Sequence, residues 1–235
     1  MAVNAFIVAG GLATLEFSRP VVTGGFLAGV VAVLALEAVV FGRVVVRAHR
    51  RDGPQRLTLA TGVTLLRAAF LAVLAGFLLT SVETARWLAG GLFAAAVVLV
   101  AVDGPLARAR GSVTELGDGL DTEVDGLTVL LGAVLVVSTG VAPVVFLLVG
   151  VARPAFAVGC WWRRRTGRPV VSLPPSRLRG LLGGVVMVVI WLALVPVPGT
   201  TVSRVLTVAV AVPFLANFGR DWLAVTVSQR EPGTN

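Results

Sequence analysis

Seven apolar stretches of near-bilayer length follow one another along the chain, at about 21–46, 57–80, 87–107, 118–138, 144–162, 180–195 and 202–222. A hydrocarbon core about 30 Å thick takes roughly 20 apolar residues in helical form, so each stretch reads as a membrane-crossing helix. Polar punctuation separates them: RAHRRDGPQR at 47–56, SVETAR at 81–86, an acidic segment at 103–125, a tight turn at 140–143, TGRPVVSLPPSRLR at 166–179 and VPVPGTT at 195–201. The expected fold class is all-α, a polytopic integral membrane bundle of six core helices with an extra N-terminal span. By domain, 1–56 is an N-terminal segment with that extra span and a basic loop, 57–222 the six-helix membrane domain, and 223–235 a disordered tail. Residues 1–20 carry no basic n-region, so they do not read as a cleavable signal peptide but as a short interfacial segment. Glu37 interrupts the first span and is expected to face protein neighbours rather than lipid.

Composition agrees with the pattern. Hydrophobic residues make up 57% of 235 and charged residues 14%, with a mean hydropathy of +0.94; a soluble domain carries about 25% charged residues. The formal net charge is +8, and all twenty basic residues are Arg. With seven spans, fifteen of these arginines fall on one side: Arg43, those of the loops at 47–56, 108–117 and 163–179, and Arg220 and Arg230 near the C-terminus. Arg19, Arg86 and Arg204 fall on the other. The positive-inside rule then places the acidic segment at the cytoplasmic face of a cell membrane. The same placement argues against nucleic acid as a partner and for membrane lipids and phosphate groups. Trp87, Trp161, Trp162 and Trp222 sit at span ends, as interfacial belts require. A single Cys160 excludes an intrachain disulfide, and a single His49 excludes a Ser-His-Asp triad elsewhere and any multi-histidine metal site.

The acidic segment carries the chemistry. Six of the chain's twelve acidic residues lie in it: Asp103, Glu115, Asp118, Asp121, Glu123 and Asp125. Carboxylates are costly within a membrane and mark functional sites there. Asp121 and Asp125 are four apart and share a helix face; Asp118 stands one turn earlier and is also a natural N-cap. Glu123 is about 200° from Asp121 around the helix and points to packing or a partner Arg. With Asp103 from the preceding helix, three or four carboxylates can surround one point, a hard-oxygen set suited to Mg²⁺, Mn²⁺ or Ca²⁺. Arg153 lies inside an apolar span and needs a cavity or an acidic partner such as Glu37. Arg177 and Arg179, just past Pro174-Pro175, reach toward the cytoplasmic mouth, and Arg67 is a further candidate for the cavity lining.

The order Asp103-Gly104-x-x-Ala107-Arg108, eight residues, Gly117, three residues, Asp121, three residues, Asp125 resembles the signature of the CDP-alcohol phosphatidyltransferases. ATGVTLLR at 60–67 resembles that family's first core helix, where a Thr and an Arg recur. The resemblance implies transfer of a phosphatidyl-type group from a CDP-linked lipid to a small alcohol, with release of CMP, dependent on Mg²⁺ or Mn²⁺. It implies Asp103 and Asp121 as metal ligands; Asp118, one turn before Asp121, is by its position the nearest further candidate. Asp125 would be the general base with a metal contact of its own. Gly104, Ala107, Arg108 and Gly117 would bind the nucleotide, Gly117 by opening the helix and exposing its amides. Arg153, Arg177 and Arg179 would receive a phosphorylated acceptor, and the protein would be a homodimer. One position departs from the pattern. The family places another aspartate three residues before the Asp-Gly pair, where this chain has Val100. That departure supports an alternative: a weakened member that binds nucleotide or lipid without turnover.

Overall fold

The computed structural model describes residues 23–53, 58–80, 86–109, 114–171, 173 and 176–227; within these, the side chains of 52, 101–109 and 115 lie outside the description. So do the interfacial segment expected at 1–20 and most of the expected tail. The described residues form seven α-helices and no strand: α1 Gly24–Asp52, α2 Leu59–Gly76, α3 Arg86–Ala109, α4 Glu115–Ser138, α5 Leu147–Arg165, α6 Arg177–Leu194 and α7 Gly199–Val227. Five qualify by length and composition as spans: α1, α2 with the short 3₁₀ turn that ends it, α5 with the one that begins it, α6 and α7. The other two are the helices that carry the acidic segment. Asp121, Glu123 and Asp125 fall within the first half of α4, and the apolar part of α3 is the shorter Arg86–Val100. The protein is a multi-pass helical membrane bundle.

Helix starts are set by hydroxyl caps. Thr23 accepts from the Phe26 amide, Thr58 and Thr61 form a reciprocal capping box, Thr114 accepts from Gly117, and Ser176 accepts from Arg179. Each satisfies amides that the first helical turn leaves without a partner. Three expected boundaries differ in the fold. α4 begins at Glu115 under Thr114, so Asp118 is not its cap. α1 runs through the expected loop at 47–52 and stops at Gly53 (φ +75°), whose amide donates to the His49 carbonyl. No helix breaker precedes Gly53, and His49, Arg50 and Arg51 complement the negative end of the helix dipole. α7 continues beyond 222 to Val227.

α2 is the most enclosed of the five spans and packs against α1, α3 and α4. α4 in turn touches α1, α2, α5 and α6, so α2 and α4 together form the centre. α1 presents Val30, Val33, Glu37, Phe41, Val44 and Ala48 as one buried seam, with the three- and four-residue spacing of a helix stripe. At Gly29 the α1 and α2 backbones nearly touch, since a Cβ there would come within 2.5 Å of the Ala75 carbonyl. Phe156 of α5 makes edge contacts with Phe218 and Trp222 and so joins α5 to α7.

Candidate active site

Asp121 and Asp125 stand one turn apart on α4 and share a single counter-ion from α2. Arg67 Nη1 donates to Asp121 Oδ1 at 2.5 Å, and Arg67 Nη2 donates to Asp125 Oδ1. The Arg67 side chain is fully buried, whereas 42% of the Asp121 side chain and 29% of the Asp125 side chain reach solvent. The Arg thus supports the pair from inside the bundle while the carboxylates look outward. Its rigid planar fork matches two acceptors at one-turn spacing. The sequence marks Arg67 only as a candidate lining residue. The signal for more is an Arg in the middle of an apolar helix, which demands acidic partners. Thr64 and Thr61, one and two turns below it on α2, are also buried.

Asp125 faces a second feature. A cavity of about 280 Å³ opens between α3, α4, α5, α6 and α7, and Asp125, Val100, Arg153, Ser176 and Arg179 are among its lining residues. Arg153 lies directly on Gly126, where a Cβ would come within 2.6 Å of Arg153 Cδ. The absence of a side chain on α4 therefore gives the arginine its place beside Asp125. Gly180, Gly183 and Gly184 of α6 line the opposite wall, and a Cβ on any of them would meet nothing within 4 Å. Their missing side chains leave the space open. Arg179 Nε donates to Asp221 Oδ2 at 2.9 Å, and Asn217 Nδ2 donates to the same oxygen at 3.3 Å.

The expected residues therefore separate. Arg153 and Arg179 meet Asp125 in one cavity, but Arg177 is exposed on the outer face of α6, about 200° from Arg179 around the helix. Arg153 does not pair with Glu37, which is buried within α1 with both carboxylate oxygens unpartnered among the described residues. Asp118 does not join the Arg67-bridged pair. It lines a separate cleft of about 270 Å³ with Glu123, Arg47 and Arg51, where the basic end of α1 lies along the start of α4. Gly117 keeps a different role from the one expected, because its amide is already donated to Thr114 Oγ1 at 3.0 Å. Its small size gives the cap room, since a Cβ there would stand 3.1 Å from Thr114 Oγ1. Asp103, Gly104, Ala107 and Arg108 fall on the last two turns of α3, and their side chains lie outside the described residues.

No group of three or more His, Cys, Asp or Glu able to hold a metal ion occurs among the described residues. The Asp121–Asp125 pair nevertheless suits a hard divalent cation. Arg67 uses Oδ1 of each carboxylate, which leaves Oδ2 of each outside the guanidinium fork and both side chains open to solvent. Carboxylate oxygens are the donors that Mg²⁺ and Mn²⁺ prefer.

A pair of carboxylates thus stands beside a cavity that two arginines line. The family model for CDP-alcohol phosphatidyltransferase matches residues 57–216, well over half of the chain, and the chain belongs to that family. The family is one of phosphotransferases that carry out phosphatidyl transfer in phospholipid synthesis. A search of curated proteins finds no match. α1 lies before the matched segment, yet it packs on both helices that carry the Arg67–Asp121–Asp125 cluster.

Proposed function

We infer that this chain transfers a phosphatidyl-type group from a CDP-linked lipid to a small alcohol bearing an anionic group, and that the transfer depends on Mg²⁺ or Mn²⁺. The observation that carries the reading is the double membership of Asp125: it belongs to the Arg67-bridged pair and also lines the cavity that holds Arg153 and Arg179. In the reaction, the acceptor hydroxyl attacks the phosphorus that bears the lipid. The bond from that phosphorus to the anhydride oxygen breaks, CMP leaves with the bonding pair, and the hydroxyl proton passes to Asp125. Arg67 fixes the spacing of the two carboxylates, while Arg153 and Arg179 orient the acceptor through its anionic end. Asp121 and Asp125, with Asp103 by family resemblance, would hold the cation, which neutralises pyrophosphate charge and so favours departure of CMP. Gly104, Ala107 and Arg108 are assigned to the nucleotide by the same resemblance. The site is assigned to the cytoplasmic face of the cell membrane from the distribution of arginines, and a homodimer is expected from the family.

Arg153 provides the test. Arg153→Ala is expected to raise the acceptor KM by about tenfold or more, the scale of one charge-assisted hydrogen bond, with the CDP-lipid KM little changed. Parallel increases for both substrates would assign Arg153 to the framework and remove the acceptor from this cavity.

A second reading has its own observation. Val100 lines the cavity beside Asp125, so the position where the family carries a carboxylate presents an apolar side chain to the site. Under that reading, Arg67 and Arg153 balance the pair without a bound cation, and the chain binds its ligands without turnover.

A further inference from the structure

Asn217 and Asp221 lie on α7 just beyond the family match, one turn apart, and each is 8% exposed. They interrupt a helix that is otherwise largely apolar. A buried carboxylate is costly unless it is paired and hydrogen-bonded, and Asp221 is both: Oδ2 accepts from Arg179 Nε and from Asn217 Nδ2. Linking α6 to α7 does not require this network. The two helices are consecutive, separated only by 195–198, and already pack along each other. The bonds act on the side chain of Arg179, which projects from the first turn of α6 at the rim of the cavity. The bond to Asp221 narrows the rotamers open to this long side chain, and so lowers the ordering cost when it grips a ligand.

Resting on the reading of this cavity as the acceptor site, we propose that Asp221, steadied by Asn217, is a positioning residue that aims Arg179 into the cavity and tempers its charge, and so sets selectivity for a singly placed anionic group on the acceptor. Asp221 grips the guanidinium by Nε and so fixes the direction in which the side chain extends. It also adds one negative charge behind a wall whose charged residues are Arg153, Arg179 and Asp125. Both bonds converge on one oxygen. An amide in place of the carboxylate can therefore keep both bonds while removing the charge, whereas an alanine removes bonds and charge together.

These two variants are expected to move in opposite directions. Asp221→Ala should raise the KM for an anionic acceptor by about tenfold, the scale of one charge-assisted hydrogen bond. Asp221→Asn should lower it severalfold, because Arg179 keeps its place in a more positive cavity. In both, the CDP-lipid KM should stay within about twofold of the wild type. The experiment measures both Michaelis constants in purified, full-length wild type, Asp221→Ala, Asp221→Asn and Arg153→Ala, with a phosphorylated and an unphosphorylated small alcohol as acceptors. A selective effect of Arg153→Ala with none from either Asp221 variant would overturn the proposal and leave the acceptor reading standing. An unselective effect of Arg153→Ala would overturn both. If Asp221→Ala fails to fold, Asp221→Asn decides alone: an unchanged or higher acceptor KM means that Asp221 is a staple between helices.

Discussion

Replacing Arg67 with methionine is expected to destabilise the folded protein by about 1.5–3 kcal/mol when no divalent cation is present, the scale of a hydrogen bond to a charged group, since the two carboxylates left behind are partly solvated. Arg67 is fully enclosed and is the counter-ion that Asp121 and Asp125 share. A methionine fills similar space without charge, so the packing of α2 against α4 survives while two carboxylates one turn apart lose their common cation. Added Mg²⁺ or Mn²⁺ should recover part of the lost stability, because a cation bound outside the pair offsets the same repulsion. Adding Asp121→Asn to Arg67→Met should also recover part of it, which makes the double-mutant cycle strongly non-additive. Thermal unfolding in detergent across cation concentrations measures this. An Arg67→Met protein that melts with the wild type at every cation concentration would mean that the bridge contributes nothing to the fold.

Asp125→Asn is expected to lower turnover by about 10²–10⁴-fold, the range lost when a positioned general base is removed. The amide keeps an oxygen for Arg67, so the folded, membrane-inserted protein should be retained. Asp121→Asn should also lose activity, but its loss should depend more strongly on cation concentration, since Asp125 faces the acceptor cavity and Asp121 is not among its lining residues. Rate measurements at saturating and limiting cation separate the two roles. Near-normal turnover in Asp125→Asn would remove it from the proton transfer.

The carboxylate pair was legible in the sequence because four-residue spacing within one helix is local information, and so were the helices, because apolar length is local too. Partners across helices were not. Arg67 meets Asp121 and Asp125 only through the relative register of α2 and α4, which no spacing within either helix records. The same holds for Asp221 and Arg179, although an Asn and an Asp one turn apart in apolar α7 mark a buried polar network that needs a basic partner. Asp118 misled for a different reason. Its position three residues before Asp121 leaves it about 60° away around the helix, and the basic end of α1, longer than its sequence pattern indicated, lies along that edge. The start of α4 moved because Thr114 and Asp118 both suit a helix start, and only the folded backbone selects between them.

The most direct measurement is CMP release from a CDP-linked lipid by the purified full-length chain, titrated with Mg²⁺ and Mn²⁺ with and without an anionic alcohol, alongside Val100→Asp. The expected result is release by the wild type that requires both cation and acceptor, with Val100→Asp lowering the cation concentration for half-maximal rate. No release by the wild type at any cation concentration, while Val100→Asp gains it, would contradict phosphatidyl transfer by this chain and leave a protein that binds its ligands without reacting them.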